Sequence, residues 1–305
     1  MARLKQIFGS GDRARREGAG AVTKTRPFAL CADDYGLSYG VSVGILKALS
    51  AGVLTAVSAI VTGARWPAMG RELVRNDPDA DLGLHLNLTL GRPLGPMAAF
   101  APKGLFPPVS ALARQSFLGR LPVDEIRDEI DRQLDRFEAV IGRPPDHVDG
   151  HHHVHMLKGV REPLLEALTA RGLAGSVWLR NAGDAPHRIA LRRAHVRKAL
   201  TVRSLGAGFA HAAKKQGFKL NDGFAGFSSF RSDRDYARSF EACLRAPGRR
   251  HLVMCHPGLV DDDLKALDPV TTTRAQELSY LLSPRLPEIL ERRHLRLARL
   301  SKMEG

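Results

Sequence analysis

From residue 27 onward, short apolar runs alternate with longer stretches of helical periodicity. The apolar runs have the length and composition typical of buried strands, and they occupy residues 28–31, 56–61, 82–88, 147–149, 177–179 and 251–255, with a further candidate at 295–300. Helical patterns occupy residues 42–51, 123–141, 160–171, 233–244 and 272–282. This alternation predicts a parallel sheet built from βαβ units. With six or more units, we expect a distorted (β/α) TIM-like barrel of the α/β class, forming a single domain over residues 27–305.

Two stretches depart from the alternation of strands and helices. Residues 1–26 mix Gly, Arg and Lys without any period, and we expect a flexible, disordered basic arm there. Residues 91–108 are rich in Pro and Gly and are too long for a tight βα turn. They predict a loop over one face of the barrel, a place where substrate contacts are common.

The net charge of +14 is confined to two segments. Residues 1–26 carry a net charge of +5, and residues 185–221 carry nine Lys or Arg and no acid, a net charge of +9. We expect the second segment to be a solvated insertion or lid. The alternative is a basic amphipathic segment on an anionic membrane, since Ile189, Val196, Leu200 and Leu205 fall on one side of a helical pattern.

Composition excludes several classes of protein. No apolar stretch approaches the ~18 residues of a membrane-spanning helix, and no apolar segment of a secretory signal follows the basic N-terminal residues. The three cysteines, Cys31, Cys243 and Cys255, have no metal-ligand spacing and are expected to be buried thiols. We therefore expect a cytoplasmic protein, with peripheral contact to the inner face of the membrane as the alternative raised by the basic segment.

Polar residues stand where the predicted strands end. They are Asp33 and Asp34 after the first strand, His85 near the end of the third, Asp149 and His151 at the fourth, Arg180 at the fifth, Asn221 and Asp222 after a short run, and His256 after the last strong strand. In an α/β barrel the C-terminal ends of the strands converge on the face where the chemistry occurs. We therefore expect most of these side chains to form one site.

The residue types in this set predict a catalytic metal centre. Adjacent carboxylates repel unless a cation lies beside them, and one carboxylate with two imidazoles leaves positions open on a divalent ion. We expect Asp34, His85 and His151 to be the ligands, Asp33 to be the general base and His256 the general acid. Asp149 is expected to fix the tautomer of a ligating histidine.

Four segments carry a resemblance to a known family. They are ADDYGLSYGVSVGILKA at 32–48, GLHLNLTLGRPL at 83–94, HVDGHHHVHM at 147–156 and MCHPGLVDDDL at 254–264. The chain resembles the YdjC-like carbohydrate deacetylases, which include chitooligosaccharide deacetylases and a deacetylase associated with hopanoid biosynthesis. The resemblance implies a distorted barrel that removes acetyl groups from N-acetylated sugars with a divalent metal.

Carried over by position, the resemblance places the metal ligands on Asp34, His85 and His151, and the catalytic residues on Asp33 and His256. His153 and His155 would orient ligands or contact substrate, and Arg180 is grouped with them as a supporting residue. The substrate would be a chitooligosaccharide or an acetylglucosaminyl glycolipid such as a hopanoid. A homodimer and a monomer are both compatible with the sequence.

Other functions and several metals stay open at this stage. A nucleic-acid-binding protein would suit the charge, but only 6% of residues are aromatic, which provides few surfaces for base stacking. A non-haem iron oxygenase also uses two histidines and one carboxylate, and would depend on O₂. The ligand set accommodates zinc, magnesium, cobalt or nickel.

Overall fold

A computed structural model describes residues 25–76 and 79–304 and contains one parallel sheet. Its strands are β1 (Arg26–Tyr35), β2 (Ala56–Ala59), β3 (Asp81–Leu86), β4 (His147–Gly150), β5 (Trp178–Leu179), β6 (Lys219–Leu220), β7 (Phe224–Ala225), β8 (His251–Cys255) and β9 (Leu295–Leu297). The predicted basic arm falls almost entirely on residues 1–24, outside the described residues.

The strand order is that of an eight-stranded barrel opened at one place. It runs β6-β5-β4-β3-β2-β1-β8-β7, and β9 pairs with the start of β1. In the described part of the chain, β6 and β7 are the two ends of this series and do not pair with each other. The prediction of a distorted TIM-like α/β barrel is thereby confirmed.

Helices connect most of the strands. They are α1 (Tyr39–Ser50), α2 (Trp66–Asn76), α3 (Val109–Phe117), α4 (Val123–Ile141), α5 (Arg161–Ala170), α6 (Pro186–Arg192), α7 (Val196–Leu205), α8 (Phe209–Lys215), α9 (Tyr236–Cys243), α10 (Asp262–Leu267), α11 (Thr272–Leu281) and α12 (Arg285–Arg292). Several short ones, such as α2 and α3, were not predicted, because two or three turns give too few repeats for a clear period. Among the described residues, no helix has the length and apolar character needed to cross a bilayer.

The basic segment between β5 and β6 forms three short helices, α6 to α8. The four apolar positions on which the membrane alternative rested do not share one helix, because Arg193 and His195 adopt left-handed backbone angles and separate α6 from α7. Ile189 is buried in the core, whereas Leu200 is exposed. The last residues of α7 line a wall of the cleft described below.

The central strands are buried on both faces, as expected of a sheet covered by helices. The imidazole of His147 stacks on Trp178 with ring centroids 4.2 Å apart, inside the sheet. A Cβ atom at Gly83 would lie only 2.2 Å from this imidazole, so the position admits no larger side chain without displacing the stack. Close packing of polar and aromatic rings thus fixes β3 against β4 and β5.

The loop at residues 91–108 packs on α4. Phe100 and Phe106 are buried, and the Glu125 carboxylate accepts hydrogen bonds from the backbone N–H groups of Ala99 and Phe100. An acidic side chain in the first turn of α4 therefore organises the loop.

Residues 299–301 close the end of the barrel opposite the polar strand ends. The buried carboxylate of Asp81, at the start of β3, accepts hydrogen bonds from the Trp178 indole, the Arg299 guanidinium and Ser301. These contacts attach the segment that follows β9 to the middle of the sheet.

Candidate metal centre and active site

Both adjacent carboxylates of β1 face one cleft because the strand contains a bulge. Asp33 and Asp34 lie within the last residues of β1 and do not follow it, which corrects the predicted strand end. The β1–β2 register shifts between Ala32 and Tyr35, where β1 has one more residue than its partner, and Asp34 has a φ of 71°. Neighbouring side chains of a regular strand point to opposite faces, and a bulge redirects one of them.

The structure brings Asp34, His85 and His151 together. Asp34 Oδ1 lies 2.9 Å from His151 Nδ1 and 3.3 Å from His85 Nε2. One ligand atom from each residue lies within 4.8 Å of the others, and all three residues are buried. These ends of β1, β3 and β4 thus present a carboxylate oxygen and two imidazole nitrogens to a single point.

Asp149 orients His85. Its Oδ1 accepts a hydrogen bond from His85 Nδ1 at 2.6 Å, which leaves Nε2 directed at Asp34. Ser58 donates to the other oxygen of Asp149 at 2.6 Å. Burial opposes protonation of His85, but the carboxylates of Asp149, Asp33 and Asp34 together outweigh burial and raise the pKa of His85 to about 10. The pocket around Nε2 therefore favours a positive charge.

Arg180 connects the two other carboxylates of the site. Its two terminal nitrogens donate to the two oxygens of Asp33, each at 2.6 Å, and Nη2 lies 2.5 Å from Asp149 Oδ2. Arg180 is fully buried, and these interactions hold its pKa well above the ordinary value despite burial. The guanidinium therefore fixes Asp33 in a two-pronged ion pair.

His256 lies on the other side of Asp33, with Nε2 4.0 Å from Asp33 Oδ2. Burial lowers its pKa to about 4, so its ring is neutral at pH 7. Its backbone N–H donates to the buried carboxylate of Glu277 at 2.6 Å. Burial in turn raises the pKa of Glu277 to about 7.

The four histidines that follow β4 have different surroundings. Residues His151–Met156 form a 3₁₀ helix in which His152 and His153 have φ of 55° and 59°. His153 lies edge-on to two phenylalanine rings and lines the cleft, and His155 Nε2 donates to the Arg180 carbonyl at 2.7 Å. His155 thus supports Arg180, which itself holds Asp33.

The donor set fits a divalent cation. Around the cluster, four carboxylates (Asp33, Asp34, Asp149 and Asp268) are ion-paired with two guanidinium groups (Arg180 and Arg274), and a proton on His85 offsets only part of the negative charge that remains. Carboxylate oxygen and imidazole nitrogen suit Mg²⁺, Zn²⁺ and the transition metals. Asp34, His85 and His151 are the residues placed to hold such an ion.

Two predicted residues lie outside the site, and three residues of the site were not predicted. Asn221 and Asp222 lie outside it, because Asn221 bonds to the backbone of residues 181 and 223 and Asp222 pairs with Arg188. Arg274, Ser58 and Glu277 were not predicted. No sequence signal marks them, because a lone polar residue in a helix or strand is more often exposed to solvent.

Fold and site together define an α/β-barrel protein with a buried carboxylate–imidazole centre at the C-terminal ends of its strands. The chain belongs to the YdjC-like protein family, whose model matches residues 28–292. It is 32% identical over 274 residues to a chitooligosaccharide deacetylase of Enterobacter sp. (strain 638), covering 87% of this chain and 94% of that protein.

Similarity extends to an animal relative and to a solved structure. A human carbohydrate deacetylase is 34% identical over 250 residues, covering 74% of this chain and 73% of that one. The fold is shared with an Enterococcus faecalis V583 protein named for cellobiose-phosphate cleavage, with a TM-score of 0.69 and 23% identity over 92% of this chain and all of that one.

Proposed function

We propose that this protein is a metal-dependent hydrolase that removes the acetyl group from an N-acetylated sugar and releases acetate. The observation that carries the proposal is the convergence of Asp34, His85 and His151 on one point, in the same cleft as Asp33 and His256. The relatives named as deacetylases of chitooligosaccharides and of carbohydrates support the reaction type.

Different residues would bind the metal, act as the general base and act as the general acid. A divalent ion held by Asp34, His85 and His151 would polarise the acetamide carbonyl and acidify a water. Asp33 takes the proton from the attacking water, since Arg180 holds its carboxylate in place. His256 gives a proton to the departing nitrogen. Because its ring is neutral before the reaction, it acquires that proton during turnover, and the nearby Asp33 is the source.

The cleft in front of these residues has about 400 Å³ of space. Its floor is polar, and its walls include apolar side chains from several elements, namely Val109, Val202, Leu205, Phe230, Met254 and Val270. Apolar walls with a few convergent polar groups suit a sugar ring joined either to further sugars or to a lipid.

The proposal predicts acetate release that depends on a divalent metal. We expect the chelated protein to lose activity on N-acetylglucosamine oligomers or acetylglucosaminyl lipids, and one of Mg²⁺, Zn²⁺, Co²⁺ or Ni²⁺ to restore it. The measurement is an acetate-release panel over both substrate classes after chelation and metal add-back. Acetate release that is unaffected by chelation would refute the metal role, and an inactive panel with every metal would refute the reaction.

We propose in addition that α6 and α7 contact an anionic membrane surface. Leu191 and Leu200 are exposed beside the exposed side chains of Arg193 and Arg197, and α7 borders the cleft. Exposed leucines interspersed with arginines along two helices suit the boundary of an anionic bilayer. Such contact would bring a glycolipid head group to the cleft.

Sedimentation with vesicles tests this contact. We expect the full chain to sediment with vesicles that contain phosphatidylglycerol and not with phosphatidylcholine alone. The double variant Leu191→Glu, Leu200→Glu keeps every basic residue and should sediment at least several-fold less. Equal sedimentation of the variant would assign binding to other basic residues and refute a role for these helices.

A further inference from the structure

Arg274 makes three contacts around the metal centre. It lies in the first turn of α11 and is only 1% exposed. Its Nη2 donates to Asp34 Oδ2 at 2.8 Å and to Asp268 Oδ2 at 2.7 Å, and its Nε donates to the Val270 carbonyl at 3.0 Å. The guanidinium is therefore held in one orientation by its own loop while it reaches a carboxylate 240 positions away in sequence.

The two oxygens of Asp34 have different partners. Oδ1 faces the imidazoles of His85 and His151, and Oδ2 faces only Arg274 among the contacts of the described residues. Rotation of the carboxylate about its Cβ–Cγ bond away from this angle would break the bond to Arg274. The contact therefore holds the carboxylate plane at the angle that directs one oxygen at the two imidazoles.

We propose that Arg274 is a positioning residue that makes Asp34 a one-oxygen ligand and keeps the remaining coordination positions free for water and substrate. This inference rests on the proposed metal centre. Partners in the outer shell of a metal site commonly set the orientation of its ligands, and their loss typically costs 10–100-fold in metal affinity.

A purely structural role for the side chain is the competing explanation. The loop around it has other anchors, because the Gly258 N–H donates to the Arg274 backbone carbonyl and the Asp268 N–H donates to the Leu264 carbonyl. These backbone bonds do not require the guanidinium. The contact with Asp34 is thus the one whose loss bears directly on the metal centre.

Titration of metal-stripped full-length protein with Zn²⁺ tests the proposal independently of activity. We expect Arg274→Met to raise the Kd for Zn²⁺ by about 10–100-fold. Arg274→Lys should fall in between, because an ammonium group keeps a positive charge near Asp34 but cannot also reproduce the Nε contact that orients the guanidinium. Asp268→Asn should raise the Kd by less than Arg274→Met, since Arg274 itself stays. Should Arg274→Met fail to fold, Arg274→Lys decides.

Arg192→Met is the matched control, because Arg192 is also buried and ion-paired, with Asp184, and is not among the residues of the metal centre. Its Zn²⁺ affinity should equal that of the unaltered protein. Removing a cation also removes its repulsion of Zn²⁺, which by itself would favour tighter binding. A folded Arg274→Met variant that binds Zn²⁺ equally or more tightly would therefore overturn the proposal. If the unaltered protein binds no metal, the proposed metal centre itself fails.

Discussion

Asp33→Asn is expected to keep its divalent metal and to lose turnover by about 10²–10⁴-fold, the usual contribution of a general base. The asparagine side chain preserves shape but cannot accept the proton of the attacking water. Because the three ligand positions are unchanged, metal content after dialysis should equal that of the unaltered protein.

Asp34→Asn, at the adjacent residue, is expected to lose the metal that Asp33→Asn keeps. Its side chain provides a neutral oxygen in place of the charged one that faces His85 and His151, so metal binding should be lost. Metal content by mass spectrometry and acetate release by enzymatic assay measure both variants. Equal metal content in the two would remove the distinction between base and ligand.

Arg180→Met is expected to lower the free energy of unfolding by about 3–5 kcal/mol. The substitution leaves Asp33 and Asp149 buried beside each other without the cation that pairs with both. Urea unfolding in the presence of a chelator measures the protein's own stability, free of any contribution from metal binding.

The control for Arg180→Met is Arg188→Met, which removes a partly exposed ion pair with Asp222 and a longer contact with Asp184, a carboxylate that Arg192 still pairs; it should cost about 1 kcal/mol. Arg180 and His85 hold the folded-state pKa of Asp149 below its unfolded value, so this stabilisation is present above about pH 4 and is lost as the pH falls further. The difference in the free energy of unfolding between Arg180→Met and the unaltered protein should therefore become smaller as the pH falls below about 4. An equal loss of unfolding free energy in Arg180→Met and Arg188→Met would contradict the role of Arg180 as the cation shared by two buried carboxylates.

The sequence predicted well which polar residues lie at the ends of strands, because a carboxylate or imidazole directly after an apolar run marks the region where a buried strand ends. Asp34, His85 and His151 were brought into one group on this basis, and the coordinates place them within reach of one ion. The bulge that turns Asp33 and Asp34 toward the same cleft could not be predicted, since it depends on the register between β1 and β2.

The missed residues share a physical cause. Arg274 occupies the first turn of a helix, where a basic residue is ordinarily solvated, and only the packing of α11 against α1 reveals its partner, Asp34. The opening between β6 and β7 was also beyond prediction, because two-residue strands leave almost no pattern in a sequence.

The position of β1 in the sheet has a consequence for synthesis on the ribosome. β2 pairs with one edge of β1 and emerges soon after it, but β8, which pairs with the other edge, is translated more than 200 residues later. Until then one hydrogen-bonding edge of a largely apolar strand stays uncovered in the nascent chain, a condition that promotes association between molecules. A chaperone that shields this edge during translation would raise the yield of native protein without altering its final stability.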